Sequence, residues 1–288
     1  MPIISIGELI DRSWDHYRRD FVDLLSVSSW ILIVAIFEIA AFFLYPYASK
    51  LASTSSLTMS ETIGVGLYAF STWVVAPILG LWAFIALTRL IRAQLSLKRS
   101  NIREAMIDGK RYFLKTLLVT LFIFGILLAA IGIGLGPGIL LTLINLTFNI
   151  PALNIVSSIL LVIGIVVSII LAFRWSVHYY FAPYALLLDG VEGKAAVIAS
   201  QKLTEGHFWK ILLRLVVPKL VFILMGIMAM AVVGFVFNAI IAVFTGLNID
   251  LQVRLGTIFT SILSTVVAVF LNPLLITADL LLYQSLKR

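Results

Sequence analysis

The side chains that could carry out hydrolytic chemistry are few and lie far apart in the chain. The sequence contains three histidines, His16, His178 and His207, each in a different segment. Hydrolysis of a phosphodiester generally needs clustered histidines and carboxylates, usually around a metal ion. The sequence also lacks the GxSxG, SxxK, HExxH and Walker-type motifs. We therefore interpret the protein as not an enzyme, and we expect no catalytic residue, metal site or cofactor.

Other candidates for chemistry are polar side chains inside long apolar stretches, of which Glu38 is the deepest. A lone ion in hydrocarbon is costly and usually faces a partner or water. Glu38 lies roughly 22 Å beyond Asp23 along a helix axis, past the midplane of a bilayer. It is either a proton or cation site of a transporter, or a neutral or hydrogen-bonded side chain that fixes helix packing. We favour packing, because only scattered polar residues such as Asn238 and Asn272 accompany it.

Arg174 and Asp279 are a second pair of intramembrane candidates. Each lies eight residues before the expected cytoplasmic end of its helix, or roughly 12 Å at the rise of an α-helix. Equal depth makes a salt bridge between them possible, and we predict this pair, with Lys219, Arg214 or a tyrosine as alternative partners of Asp279. The other alternative is that each side chain reaches the headgroups separately. Asn272 is followed by a proline that we expect to break the last helix.

The composition shows what kind of elements must position these residues. Of the 288 residues, 61% are hydrophobic, only 12% are charged and none is cysteine. A soluble domain has about 25% charged residues. This composition excludes soluble, disordered and disulfide-stapled proteins and indicates an all-α, polytopic integral membrane protein.

Charge-free runs define the predicted membrane-spanning helices, because a span needs about 20 apolar residues. The longest run, Thr116 to Phe173, must hold two helices. We expect the Gly-Pro-rich stretch 134–138 to break it, with a second irregular point at residues 149–154. Six transmembrane helices are therefore predicted, at residues 24–45, 64–90, 114–135, 153–180, 219–243 and 255–283.

The basic residues predict the orientation, since Lys and Arg near span ends remain in the cytoplasm. All but two of the 21 lie on one side, and Lys50 and Arg254 are the exceptions. Both termini are therefore expected in the cytoplasm of a prokaryotic cell whose inner membrane holds the protein. The basic loops should face the bilayer and its anionic headgroups, and no nucleic acid is expected as a partner.

The cytoplasmic segments share an amphipathic pattern. Apolar residues recur at helical spacing after Ser5, after Ile102 and after Ala196, with charged residues opposite. We predict three interfacial helices that form a cytoplasmic collar, the first being capped by Ser5 and Glu8. The residues expected at the interface are Trp14, Tyr17, Ser200, Phe208 and Trp209.

The spacing of these segments suggests an internal repeat within one membrane domain over residues 1–288. Each amphipathic segment precedes a hydrophobic hairpin, which divides the chain into 1–95, 96–188 and 189–288. The alternative is that any loop lying on a membrane becomes amphipathic without being a repeat.

Three stretches of the chain carry a resemblance to a known family. They are "ISIGELIDRSWDHYRRDF", "RWSVHYYFAPYALLLDGVEGKAAVIASQKLTEGHFWKILL" and "NPLLITADLLLYQSLKR". The chain resembles, over nearly its whole length, the membrane domain of glycerophosphoryl diester phosphodiesterases and the stand-alone prokaryotic membrane proteins related to it. In the larger enzymes the chemistry belongs to a separate soluble barrel, so the resemblance implies a six-helix membrane protein without catalytic residues.

Two hypotheses of function follow. The first is a non-enzymatic membrane protein whose cytoplasmic collar organises lipid or an unidentified partner protein. The second is a small transporter or channel that uses Glu38 and broken helices. A water-lined cavity that reaches Glu38 would favour transport, whereas a packed bundle would favour the first hypothesis. The sequence favours the first, because the recognisable residues lie in the collar.

Overall fold

The computed structural model describes residues 3–51, 56–96 and 101–287. Lys98, Arg99 and Arg288, which contribute to the predicted orientation, lie outside these ranges. Within the ranges, the regular structure is helical throughout. The helices are α1 (Ile6–Arg19), α2 (Phe21–Ser28), α3 (Leu32–Leu44), α4 (Ala48–Leu51), α5 (Met59–Phe70), α6 (Ala76–Leu95), α7 (Ile102–Phe148), α8 (Pro151–Tyr179), α9 (Ala182–Asp189), α10 (Lys194–Thr204), α11 (Phe208–Thr245) and α12 (Ile249–Leu286).

Six helical segments of the described chain are long and apolar enough to cross a membrane. They are Phe21–Leu44, Met59–Leu95, Ile102–Phe148, Pro151–Asp189, Phe208–Thr245 and Ile249–Leu286. Each corresponds to one predicted span. The first contains a 3₁₀ turn at Ser29–Ile31, and the second contains a π-helical turn at Ser71–Val75 just before Pro77.

Two predicted helix breaks are wrong. Helix α7 continues through Gly134 and Pro137, and the turn to α8 lies at Asn149 and Ile150, where Asn149 has a φ of 50°. Helix α12 likewise continues through Pro273. Glycine and proline are tolerated inside such helices because apolar surroundings offer the backbone no water to replace its own hydrogen bonds.

The chain divides into two compact units. Unit 1 comprises the residues up to Phe113 together with Arg214–Leu286, and unit 2 comprises Leu114–Leu213 with Lys287. In unit 1, α3 packs against α5 and α12. The fully buried side chains of unit 1 include Leu24, Ile85, Leu87, Leu90, Ile91, Leu280 and Tyr283. The single domain and the three repeats stay predictions.

Helix α1 is held by protein contacts. The Ser5 hydroxyl accepts a hydrogen bond from the Glu8 N–H at 3.2 Å, which is one half of the capping box predicted for Ser5 and Glu8. The Glu8 side chain pairs with Arg12 instead. The apolar face, including Leu9 and Tyr17, is buried, and α1 packs on α12. Tyr17 is therefore not the lipid-facing anchor we expected, because its ring fills space inside the protein, whereas Trp14 stays partly exposed.

Unit 2 is built on the α7–α8 hairpin. The two helices touch through their backbones, since a Cβ placed on Gly164 would lie 2.2 Å from the carbonyl oxygen of Gly134. Near the turn, the Asn145 side-chain amide donates to the Asn154 side chain at 3.0 Å. The second predicted interfacial helix, from Ile102, is the continuous beginning of α7, while the third is the separate helix α10.

Candidate functional sites

Glu38 lies on α3, half-buried against α12. The Ser261 hydroxyl donates a hydrogen bond to Glu38 Oε2. This contact satisfies one oxygen of the carboxyl group, as the packing interpretation requires. The Glu38 side chain also borders a cavity.

The Glu38 cavity lies within unit 1 and has a volume of about 600 Å³. Two aromatic rings, those of Phe42 and Tyr68, form part of its wall. The polar residues around it are Asn238, Gln252, Thr257, Thr260, Ser261 and Ser264. Gln252 is in the first turn of α12, and Ser264 lies roughly 22 Å from the start of that helix. The cavity therefore extends from one end of unit 1 to about mid-depth.

The polar residues of this cavity are scattered along the sequence, and the structure brings them together. Thr257, Ser261 and Ser264 follow one another on α12 at intervals of four and three positions, which places them on one helix face. This helical spacing is the sequence pattern from which the polar face of α12 could have been predicted. Below them the bundle is packed, where the buried Ser28 hydroxyl donates to the Val269 carbonyl at 2.7 Å.

A second cavity, which we call the α8–α11 groove, lies within unit 2 and has a volume of about 850 Å³. Its walls combine an apolar part with a polar rim. The apolar residues are Ile169, Ile170, Phe173, Phe208 and Trp209, and the rim carries Arg174, His178, Gln201, Glu205, His207 and Lys210. The groove thus contains three of the predicted site residues: Arg174, Phe208 and Trp209.

Ser200, the remaining predicted interfacial residue, holds the wall of the groove together from inside. Its hydroxyl donates to the His178 carbonyl at 2.7 Å and accepts from the Phe181 N–H at 3.1 Å. Ser200 is fully buried, so the expectation that it faces the membrane interface is wrong. The hydroxyl instead satisfies backbone groups left by the end of α8.

The turn between α10 and α11 shapes the rim. Gly206 has a φ of 76°, a left-handed conformation that glycine adopts without steric cost. On the α8 side, Arg174 Nε donates to His178 Nε2 at 3.5 Å. That ring contacts Thr204 Oγ1 through Nδ1 at 2.8 Å. The Nη1 and Nη2 atoms of Arg174 make no hydrogen bond to the described residues.

Asp279 pairs with Lys219, the first of the alternatives, at 3.0 Å. Within unit 2, Arg174 contacts His178. The Arg174–Asp279 bridge stays a prediction. Asp279 is 5% exposed, while Asn272 is half-buried on the same helix.

His16 is buried on α1 with Asp20 3.3 Å away. The pKa of His16 is lowered from its ordinary value, mainly by burial. The nearby Asp20 raises the pKa and Arg19 lowers it, but both effects are smaller than that of burial. Burial also raises the pKa of Tyr17 to about 12. Among the described residues, no group of three or more His, Asp or Glu side chains is placed to hold a metal ion.

Comparison of the chain with protein-family models, with characterised proteins and with solved structures gives no match. The assignment of function therefore depends on the chemistry of the two cavities.

Proposed function

We propose that this is a non-enzymatic membrane protein whose cytoplasmic face organises lipid by holding a glycerophospholipid in the α8–α11 groove. The observation that carries this proposal is the combination, in one groove, of an apolar wall and a cationic rim. Ile169 and Ile170 on the wall are exposed and match an acyl chain. Arg174 and Lys210 on the rim match a phosphate.

The charge of the groove supports an anionic headgroup. Its rim has two cations, Arg174 and Lys210, and one carboxylate, Glu205. The net charge is therefore positive with the histidines counted as neutral. The beginning of α11, at Phe208, adds the positive end of the helix dipole.

The proposal includes the orientation in which the groove faces the cytoplasm. The distribution of basic residues supports it, since Arg174 and Lys210 belong to the basic side of the chain. A reporter that is active only outside the cytoplasm, fused after Lys287, should stay inactive. Activity of that fusion would contradict the orientation.

The lipid proposal is tested by counting phospholipids that remain bound after purification, using native mass spectrometry. Arg174→Gln and Lys210→Gln should each weaken retention of phosphatidylglycerol roughly tenfold, because a hydrogen bond to a charged group contributes about 1.5–3 kcal/mol. Lys202→Gln is the matched control, since Lys202 is exposed on α10 outside the groove. Equal retention by all three variants would contradict the proposal.

The resemblance to the membrane domain of glycerophosphoryl diester phosphodiesterases is likewise proposed as kinship. It is supported by the three stretches of sequence, of which the central one contains α9 and α10. Kinship predicts that this segment can replace its counterpart in such an enzyme without loss of membrane insertion. Failure of several such chimaeras to insert would count against it.

Transport is a second candidate function, favoured by the cavity that reaches Glu38. Intramembrane acidic residues that border a polar cavity commonly mark ion or substrate pathways. Liposomes containing the protein would then show a proton or cation flux that Glu38→Gln abolishes. The absence of flux in the parent protein would contradict transport and would leave lipid binding as the remaining proposal.

A further inference from the structure

We infer that the Glu38 cavity is a binding site for small organic ammonium ions, entered from the end of unit 1 where α12 begins. This goes beyond the lipid proposal, concerns a different unit and requires binding only, without transport.

Three polar side chains of the cavity lining use a proton in a hydrogen bond to the backbone. Thr257 donates its hydroxyl proton to the Val253 carbonyl at 2.8 Å, and Ser264 donates to the Ser261 carbonyl at 2.8 Å. The Asn238 side-chain N–H donates to the Gly234 carbonyl at 2.9 Å. With these protons committed to the backbone, the oxygens of the three side chains are left as acceptors. Such a lining suits a cation and disfavours an anion.

Charge at this end of unit 1 favours the same class of ligand. Residues 38–68 and 238–264, which include the lining of the cavity, contain three carboxylates and two cations, namely Glu38, Glu61, Asp250, Lys50 and Arg254. Both cations have partners, because Lys50 pairs with Glu61 and Arg254 lies 3.8 Å above the Tyr47 ring. The remaining net charge is negative, and Glu38 is the charged residue that lines the cavity.

The aromatic wall distinguishes an organic ammonium ion from a metal ion. The rings of Phe42 and Tyr68 lie 5.3 Å apart with their planes tilted by 43°. Aromatic faces attract ammonium groups through their quadrupoles. A divalent cation such as Ca²⁺ takes roughly six to eight oxygen ligands at close range. This lining supplies one carboxylate among hydroxyl and amide groups spread over about 600 Å³, a volume suited to a small molecule.

The test compares charged and uncharged probes of the same shape on the purified full-length protein in lipid nanodiscs. Isothermal titration calorimetry is carried out with choline, with ethanolamine and with 3,3-dimethylbutan-1-ol, the neutral isostere of choline. We expect saturable binding of at least one amine at millimolar concentration, and binding of the isostere at least roughly tenfold weaker than that of choline if choline binds. Binding of neither amine, or equal binding of choline and its isostere, would overturn the inference.

Variants then locate the site. Glu38→Gln should weaken amine binding at least roughly tenfold, and Phe42→Leu should weaken it while leaving the carboxyl group in place. Glu104→Gln is the matched control, since Glu104 is exposed on α7 and does not line the cavity. If Glu38→Gln does not fold, the probe comparison on the parent protein and the Phe42→Leu variant still decide. Unchanged amine binding in Phe42→Leu and in a folded Glu38→Gln would place the ligand elsewhere.

Discussion

The contact between α7 and α8 gives a sharp prediction for Gly134→Ala. A Cβ at this position would lie 2.4 Å from the carbonyl oxygen of Gly164 and 2.2 Å from the Ser168 hydroxyl. The hydroxyl can rotate away, but the carbonyl belongs to the backbone of the facing helix. Restoring an ordinary contact therefore requires the two helices to separate locally by about 1 Å, since non-bonded atoms prefer about 3.5 Å.

The magnitude follows from two opposing effects. Alanine stabilises a helix interior by about 1 kcal/mol relative to glycine. Forcing an extra carbon into a closely packed contact costs about 1–3 kcal/mol. Gly132 provides the matched control on the same helix, because a Cβ there would meet no atom within 4 Å. The gain in helix propensity is common to both variants, so Gly134→Ala should be about 1–3 kcal/mol less stable than Gly132→Ala.

The assay is equilibrium unfolding of the purified protein in mixed micelles, followed by circular dichroism. The free energy of unfolding is compared between the two single variants rather than with the parent. Identical values would refute the close backbone contact, because an open site at Gly134 would gain the same helix propensity as Gly132.

Two further predictions concern the buried charges. Lys219→Met should lower the free energy of unfolding by about 3–5 kcal/mol, because it leaves the Asp279 carboxylate buried without that partner, and the double variant Lys219→Met/Asp279→Leu should recover much of the loss in the same unfolding assay. The lowered pKa of His16 means that the unfolded chain binds a proton at a higher pH than the folded protein does. Stability should therefore fall as the pH drops below about 6.5, and melting curves of His16→Gln should show a smaller fall than those of the parent. A pH dependence identical in both proteins would contradict this account of His16.

The sequence was sufficient for the six spans because each span is a local property of about 20 residues. The Glu38 cavity depended on information that local patterns do not contain. Glu38 and its partner Ser261 are 223 positions apart, and only the packing of α3 beside α12 brings them together. The same limit applies to Asp279, because no local pattern shows that Lys219 of α11 lies beside it.

The errors at Gly134 and Pro137 have a different cause. Glycine and proline end helices in water, where a released carbonyl finds a solvent partner. In an apolar setting that partner is missing, so α7 continues and its glycines serve contact with α8 instead. Glycine spacing such as that of Gly134 and Gly138, four residues apart, is typical of close helix packing in membranes.

The hairpin of unit 2 has a consequence for how the chain enters the bilayer. From Thr116 to Phe173 it contains no charged residue, so its tip can be translocated without moving an ion through hydrocarbon. The polar side chains near the tip include those of Asn145 and Asn154, which are joined by a hydrogen bond. If α7 and α8 insert as a preformed pair, this hydrogen bond forms before the tip crosses the membrane. The two helices would then insert in one step rather than one after the other.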